Sequence, residues 1–230
     1  MSHPSSPLWA AARVDAALAT IAPLAARHTA AVRPRLARVL EAFAAERLGV
    51  QHFGSVSGYG HGDQGREVLD RVVARVLQAE AAAVRLQFVS GTHAIAAALY
   101  GVLRPGDRLL ALTGRPYDTL EEVIGIRGSG QGSLAEFGIS YDELPLTPEG
   151  LVDEDRMADA LAVPTRLVLI QRSCGYSWRP SLGIDQIERL VARVKQLQPA
   201  CDVFVDNCYG ELTEAREPTA VGSCSCTSSP

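Results

Sequence analysis

The sequence has almost no lysine. Its 230 residues carry 22 Lys and Arg side chains, and all but Lys195 are arginine. The formal net charge of -4 and a pI near 5.7 exclude a nucleic-acid binder that works mainly through phosphate contacts. No G-x-x-x-x-G-K-[S/T] string is present, so an unrelated nucleotide-binding α/β domain has no P-loop to support it.

Neither a cysteine motif for metal nor a membrane-spanning run is visible. The five cysteines include no C-x-x-C pair, so no zinc or other metal ligand is predicted. Residues 1–9 lack a basic stretch followed by an apolar run, and no uncharged stretch approaches the length of a membrane span. We therefore expect a reduced, cytoplasmic protein without membrane or nucleic-acid partners.

The first 50 residues are predicted to form a helical arm. Alanine dominates between Leu8 and Leu48, and apolar residues recur there at helical spacing, which predicts two helices. Such an arm serves packing or a dimer contact more often than catalysis. Five glycines follow between Gly54 and Gly65. They are typical either of low complexity or of a backbone that approaches a ligand or a neighbouring subunit.

From Arg66 onward, short apolar runs alternate with helical segments. We predict strands at 82–86, 108–112, 139–144, 166–170 and 202–205, and helices at 67–78, 93–103, 116–126, 153–161 and 183–197. Most of these strands are short and aliphatic, as the buried strands of a parallel sheet are. The alternation predicts an open, mainly parallel α/β sheet with right-handed crossovers.

Ligands bind at the carboxyl ends of the strands in such a sheet, and the loops there hold most of the unusual residues. These loops are residues 87–92, 113–117, 171–178 and 206–211. In the first loop, Ser90, Gly91 and Thr92 lead into an apolar helix. Free N–H groups and the helix dipole make this arrangement suitable for phosphate. Simple N-capping of the helix is the alternative.

The second and fourth loops each offer a group for a flat, cationic ligand. Tyr117 begins a helix, where its ring can stack on an aromatic ligand or pack internally. Asp206 ends the apolar strand, and a buried carboxylate needs a cationic partner or several hydrogen bonds. A protonated ring nitrogen would be such a partner. A helix cap or a magnesium ligand is the alternative.

The third loop, taken on to residue 180, is rich in arginine and aromatic residues. It is suited to a substrate carboxylate or to a partner subunit. Cys174 has no activating histidine nearby in the sequence, so we interpret it as a small packing residue and not as a nucleophile. His93 opens the helix beside Ser90 and is interpreted as a positioning residue.

These loop sequences resemble a known family. The strings that carry the likeness are Gly58-Tyr59-Gly60, Gly65-Arg66, residues 87–94, 103–107 and 114–125, Gln171-Arg172-Ser173, Gly175-Tyr176 and residues 205–211. They are similar to the bacterial aluminium-resistance proteins, a methionine γ-lyase-like group. These are pyridoxal-phosphate enzymes of fold type I, related to cystathionine β-lyase. The likeness covers nearly all of residues 50–222.

The resemblance implies a carbon–sulfur lyase that acts on small sulfur-containing amino acids. It implies pyridoxal 5′-phosphate as cofactor and a homodimer or homotetramer as the assembly. The residues implied to hold the cofactor are Ser90, Gly91 and Thr92 at its phosphate, Tyr117 against its ring and Asp206 at its ring nitrogen. Tyr59 and Arg66 match the segment that reaches the phosphate of the neighbouring subunit in relatives.

The resemblance also predicts a lysine that this sequence lacks. In the family, the Asp-bearing strand precedes a segment whose lysine forms a Schiff base with the cofactor. Here residues 217–222 match the lead-in, and residues 223–230 stand in place of that segment.

We expect an arm at 1–50, a partial large domain truncated before the lysine at 51–222, and a disordered tail at 223–230. No catalytic residue is assigned, and the chain is expected to be inactive. The alternative is a non-catalytic or weakly cofactor-binding fragment.

Overall fold

The computed structural model describes residues 7–56, 59 and 61–226. The chain divides into two compact units, one up to Val72 and one from Val73 onward. The first is helical, and the second is built on a sheet. In the described residues, no helix combines the length and the apolar composition that a bilayer crossing requires.

The first unit is dominated by one long helix, α1 (Pro7–Ala45). The prediction of two helices is therefore wrong, although the arm is helical as expected. Pro23 and Pro34 lie inside α1. Each proline removes one backbone hydrogen bond, but the alanine-rich flanks have high helix propensity and continue the helix across both positions.

Two shorter helical segments follow α1. A 3₁₀ turn spans Val50–Phe53, and helix α2 spans Gln64–Val76. An ion pair of 2.7 Å between Arg71 Nε and Glu46 Oε2 ties α2 to the residues just after α1.

The second unit contains a five-stranded sheet in which all strands run parallel. The strands are β1 (Arg108–Ala111), β2 (Ser140–Glu143), β3 (Leu167–Gln171), β4 (Asp202–Asp206) and β5 (Cys224–Cys226). Their order across the sheet is β2-β1-β3-β4-β5. The predicted parallel α/β architecture is confirmed.

Helices cover both faces of this sheet. They are α3 (Gly91–Val102), α4 (Asp118–Ile124), α5 (Met157–Ala160) and α6 (Ile184–Leu197). Leu169 and Phe204 pack with α3 and α4 on one face, whereas Ile170 and Val205 pack with α5 and α6 on the other. Because side chains alternate along a strand, Asp206 lies on the same face as Phe204, beneath α3 and α4.

The predicted strand at 82–86 is not present. These residues are irregular, and Leu86 is 98% exposed. Three of the six residues from Ala81 to Leu86 are alanine, which fits a pleated sheet poorly, so the apolar run carries no strand.

The expectation of an unstructured tail at 223–230 is wrong for Cys224–Cys226. These residues form β5, which pairs with β4 so that Cys226 lies opposite Asp206. An edge strand takes its backbone hydrogen bonds from its neighbour and therefore needs no apolar periodicity of its own. The pairing extends the sheet beyond the strand that carries Asp206.

Candidate functional site

The start of α3 presents backbone donors that the helix does not use. Ser90 has an extended backbone (φ -160°), and its Oγ accepts a hydrogen bond of 3.1 Å from the His93 N–H. This is the N-cap that the sequence left open as an alternative. The cap occupies the N–H of His93 only. The amides of Gly91 and Thr92 have no acceptor among the described residues, so they can bind an anion.

A cluster of hydroxyl groups joins the start of α3 to the start of α4. Thr92 Oγ1 lies 3.2 Å from Tyr117 Oη and 2.8 Å from Thr119 Oγ1. The structure thus brings together Thr92 and Tyr117, which the sequence assigns to one site. Sequence reasoning missed Thr119, because a threonine in the first turn of a helix gives no functional signal.

Asp206 is a buried carboxylate at the end of β4. It is 5% exposed, and its Oδ1 accepts a hydrogen bond of 3.1 Å from the Cys208 N–H. Burial raises the pKa of Asp206, and the Cys208 N–H opposes that rise. No cationic side chain among the described residues forms an ion pair with it. A positively charged ligand group would therefore stabilise the ionised form.

A cavity of about 480 Å³ opens between the loops after β1 and β3. Tyr117 and Gln171 line it, but Asp206 and residues 90–92 do not. The cavity therefore adjoins the candidate site at Tyr117 but does not contain it. The site itself is defined by the amides at the start of α3, which can bind an anion, and by Asp206, which can bind a cation. Arg179 beside it donates to the backbone oxygens of Gln171 (2.8 Å) and Ser173, and burial lowers the pKa of Arg179.

The structure places Arg172 inside the protein. It is 3% exposed, and its guanidinium donates to oxygen atoms of Leu182, Asn207, Gly210, Thr213 and Glu214. Arg172 and Arg179 both direct donors at their own chain, so neither is free to receive a substrate carboxylate in this arrangement.

Tyr59 and Arg66 belong to the first unit. Tyr59 is 85% exposed, and Arg66 lies 3.4 Å from the carboxylate of Asp63. Gly58 and Gly60, which flank Tyr59, lie outside the described residues. The role of Tyr59 and Arg66 towards a neighbouring subunit stays a prediction.

Lys195 lies at the opposite end of the sheet from Asp206. Its Nζ donates to the Cys201 carbonyl oxygen at 2.7 Å, and Cys201 immediately precedes β4. The five residues of β4 span roughly 13 Å, and Asp206 lies at the far end. The one lysine of the chain therefore does not reach the predicted cofactor site.

His93 and Cys174 have unremarkable local contacts. The His93 ring meets Phe88 edge-on at 5.7 Å, and its Nδ1 accepts a hydrogen bond from the Val89 N–H. The Cys174 thiol is reduced and makes a weak contact with the Gly175 oxygen. Across the described part of the chain, no group of three or more His, Cys, Asp or Glu side chains is arranged to hold a metal ion.

A parallel sheet with an anion-binding helix start and a buried carboxylate at its carboxyl edge is the architecture of pyridoxal-phosphate-dependent enzymes of fold type I. A protein of this class, the pyridoxal-5′-phosphate-dependent protein YhfS of Escherichia coli, matches 83% of the chain with a TM-score of 0.60 at 18% identity. That distant match concerns the fold alone.

The chain belongs to the methionine γ-lyase family. The model of that family matches residues 11–229. Pyridoxal phosphate is the cofactor expected for its members.

More similar proteins place the chain near the aluminium-resistance members. A candidate cystathionine β-lyase involved in aluminium resistance from Listeria monocytogenes is 47% identical, with a TM-score of 0.86 over 90% of this chain and 51% of its own. A carbon–sulfur lyase involved in aluminium resistance from Clostridium novyi is 43% identical, with a TM-score of 0.86 over 91% of this chain and 50% of its own.

The chain is shorter than its relatives. YnbB, an uncharacterized protein of Bacillus subtilis, is 48% identical over 187 residues, which are 81% of this chain and 44% of YnbB. The 230 residues therefore correspond to about half of a relative.

Proposed function

We propose that the carboxyl edge of this sheet binds pyridoxal 5′-phosphate, and that the chain supplies the cofactor-holding part of a carbon–sulfur lyase for sulfur-containing amino acids. The observation that carries the proposal is the buried, cation-free carboxylate of Asp206 on the sheet face beneath α3. A flat ring that is cationic at its nitrogen and bears a phosphate suits both Asp206 and the free amides of α3. The substrate class follows from the names of the aluminium-resistance relatives.

Each side chain has a defined part in this proposal. The amides of Gly91 and Thr92 donate to the phosphate, and the hydroxyls of Ser90 and Thr92 add two further donors. Tyr117 offers its ring for stacking. Asp206 holds a proton at the ring nitrogen, because its buried negative charge favours a cation beside it. When bound, the cofactor supplies an electron sink for the carbanion that forms at the α-carbon of an amino acid.

We further propose that these 230 residues do not complete an elimination by themselves. The family chemistry uses a lysine at the cofactor, and Lys195 lies at the amino end of β4. Cofactor binding without turnover is the activity that this arrangement favours. The full reaction requires a lysine at this edge that these 230 residues do not place there.

The proposed assembly is a homodimer or homotetramer in the cytoplasm. Tyr59 and Arg66 would contact the cofactor phosphate of the neighbouring subunit, as the family resemblance implies. The described cysteines Cys174, Cys201, Cys208 and Cys224 are reduced, which is compatible with that compartment.

A titration with pyridoxal 5′-phosphate tests the proposal. We expect saturable binding in equilibrium dialysis, and Asp206→Asn should weaken it at least tenfold, since a charge-assisted hydrogen bond contributes about 1.5–3 kcal/mol. Asp202→Asn is the matched control, because Asp202 lies at the other end of β4 and pairs with Arg166. Equal affinities of the two variants would contradict the assignment of Asp206.

A further inference from the structure

Arg172 uses its whole guanidinium to hold the loop after β4. Nη1 donates to Asn207 Oδ1 at 2.7 Å and to the Gly210 oxygen at 2.8 Å. Nη2 donates to Glu214 Oε1 at 2.6 Å and to Thr213 Oγ1 at 3.3 Å. Nε donates to the Leu182 oxygen at 3.2 Å. Five oxygens therefore match the five N–H groups of the side chain, an arrangement that lysine cannot reproduce.

The positive charge of Arg172 is directed away from Asp206. Its ion pair is with Glu214, whose Oε1 also accepts a hydrogen bond of 2.8 Å from the Ile184 N–H at the start of α6. Arg172 meets Asp206 through the backbone only, where its N–H donates to the Asp206 carbonyl oxygen at 3.0 Å. The carboxylate of Asp206 is therefore not neutralised by this nearby arginine.

The loop that Arg172 holds is tight and locally strained. A Cβ atom at Gly210 would lie 2.5 Å from Asn207 Oδ1 and 2.6 Å from Arg172 Nη1, so no larger residue fits there without displacing them. Tyr209 and Leu212 have positive φ angles of 68° and 55°. Such conformations cost energy in residues other than glycine and persist where surrounding contacts enforce them.

A second buried carboxylate holds the loop from its other side. Glu217 Oε2 accepts a hydrogen bond from Asn207 Nδ2 at 3.3 Å, and Oε1 accepts one from the Leu212 N–H at 3.0 Å. Asn207, which is fully buried, is thus fixed by Arg172 on one side and by Glu217 on the other.

The same loop sets the orientation of the Asp206 carboxylate. Cys208 lies within it, and its N–H donates to Asp206 Oδ1 at 3.1 Å. Among the described residues, this is the hydrogen bond that the Asp206 carboxyl receives. A change in the path of residues 207–210 would move that N–H and release the carboxylate from its rotamer.

We propose that Arg172 is a positioning residue for Asp206. It acts through Asn207, Gly210 and the Cys208 N–H, while Glu214 takes up its charge so that Asp206 keeps its negative charge for a cationic ligand. The inference deepens the proposed function, on which its relevance to cofactor binding rests. The positioning itself concerns the chain without cofactor and can be tested there.

The test is the titration of the Asp206 carboxyl in the cofactor-free chain, followed by ¹³C NMR with carboxyl-labelled aspartate. The Asp206 signal is identified by its loss in Asp206→Asn. In Arg172→Lys we expect the pKa of Asp206 to rise further, because the Cys208 N–H no longer stabilises the ionised form. Affinity for pyridoxal 5′-phosphate should fall at least fivefold in the same variant.

Arg166→Lys is the control, because Arg166 forms an ion pair of 2.6 Å with Asp202 at the other end of the same two strands. Its Asp206 titration should match that of the parent chain. Glu214→Gln, which keeps an acceptor oxygen but loses the charge, should lower the Asp206 pKa, because the guanidinium of Arg172 is then no longer neutralised and favours the ionised carboxylate. If the Arg172→Lys chain does not fold, Glu214→Gln becomes the deciding variant.

The proposal is overturned if the folded Arg172→Lys chain, or in its place the folded Glu214→Gln chain, titrates at Asp206 like the parent. A failure of the proposed function gives a different result. In that case Asp206→Asn leaves cofactor affinity unchanged, while the Arg172 variants still shift the Asp206 pKa.

Discussion

The two ends of strand β4 carry the same residue type in opposite electrostatic settings. Asp202 at the amino end is partly exposed and lies 2.6 Å from Arg166. Asp206 at the carboxyl end is buried and receives a backbone N–H instead of a cation. The single lysine of the chain is also at the amino end. The charge of Asp202 is thus neutralised by Arg166. The carboxylate of Asp206 has no cationic partner among the described residues, so it can bind a cationic ligand group.

The difference has an energetic consequence. An exposed ion pair such as Asp202–Arg166 contributes about 0–1 kcal/mol. A buried polar group without full compensation costs about 1–3 kcal/mol. The ion pair at the amino end therefore changes the free energy of unfolding little, whereas the buried carboxylate at the carboxyl end lowers it in the cofactor-free chain. Stability given up at a binding edge in this way is common in proteins whose sites await a ligand.

The largest effect is expected from glycine substitutions, which should act in opposite directions in the loop after β4 and in the last turn of α3. Gly210→Ala should destabilise the chain by about 2 kcal/mol, because the new Cβ meets Asn207 and Arg172 at under 3 Å. Gly101→Ala, in the last turn of α3, should stabilise it by about 0.5 kcal/mol, since nothing lies within 4 Å of the added atom. Urea unfolding of both variants measures the two changes in the free energy of unfolding. Equal changes would contradict the prediction.

The second effect concerns the pH dependence of stability. Burial raises the folded-state pKa of Asp206 above its unfolded value, so the folded chain binds more protons in the interval between the two pKa values. Stability is therefore lost as the pH rises through that interval. Asp206→Asn removes the penalty and should stabilise the cofactor-free chain at pH 7 by on the order of 1 kcal/mol.

The gain from Asp206→Asn should shrink as the pH falls below the folded-state pKa of Asp206. Unfolding free energies of the variant and the parent, compared in denaturant from neutral to acid pH, measure it. A gain that stays constant with pH would show that Asp206 is not the titrating group. Asp202→Asn should show no gain at any of these pH values.

A smaller effect is expected at the exposed pair of the amino end. Arg166→Ala should cost about 0.5 kcal/mol at low salt and less at high salt, because screening weakens exposed ion pairs. Thermal unfolding at two ionic strengths is sufficient to measure it. A loss of several kcal/mol would mean that the amino end is no less sensitive than the carboxyl end.

The smallest effect is expected at Lys195. Lys195→Gln should leave the affinity for pyridoxal 5′-phosphate within twofold of the parent chain. Borohydride reduction of the parent with cofactor should yield no covalent adduct at this residue, since Lys195 Nζ lies beside Cys201 at the amino end. A stable adduct on Lys195, found by peptide mass spectrometry, would contradict its placement outside the site.

The sequence predicted the parallel sheet and the loops at its carboxyl edge, since strand–helix alternation alone restricts where ligand residues collect. It thereby selected Thr92 and Tyr117, which the structure brings to 3.2 Å of each other. The prediction was wrong at 82–86, where an alanine-rich apolar run was interpreted as a strand. It was also wrong at Cys224–Cys226, where pairing with β4 forms a strand that has no apolar pattern.

Other features could not be predicted from local patterns. The contacts of Arg172 join residues up to 42 positions apart, and no spacing rule predicts which of the two arginines in its loop turns inward. Whether Asp206 has a cationic partner likewise depends on every element packed around it. These contacts form only in the tertiary structure, and they decide which end of the sheet is suited to a charged ligand.

The most direct test of the account is ¹⁵N NMR of pyridoxal 5′-phosphate labelled at its ring nitrogen and bound to the chain, at a pH where the free cofactor is unprotonated there. We predict the chemical shift of a protonated nitrogen with the parent chain and with Asp202→Asn, and that of an unprotonated nitrogen with Asp206→Asn. A nitrogen that remains unprotonated on the parent chain, or that stays protonated without the Asp206 carboxylate, would contradict the pairing.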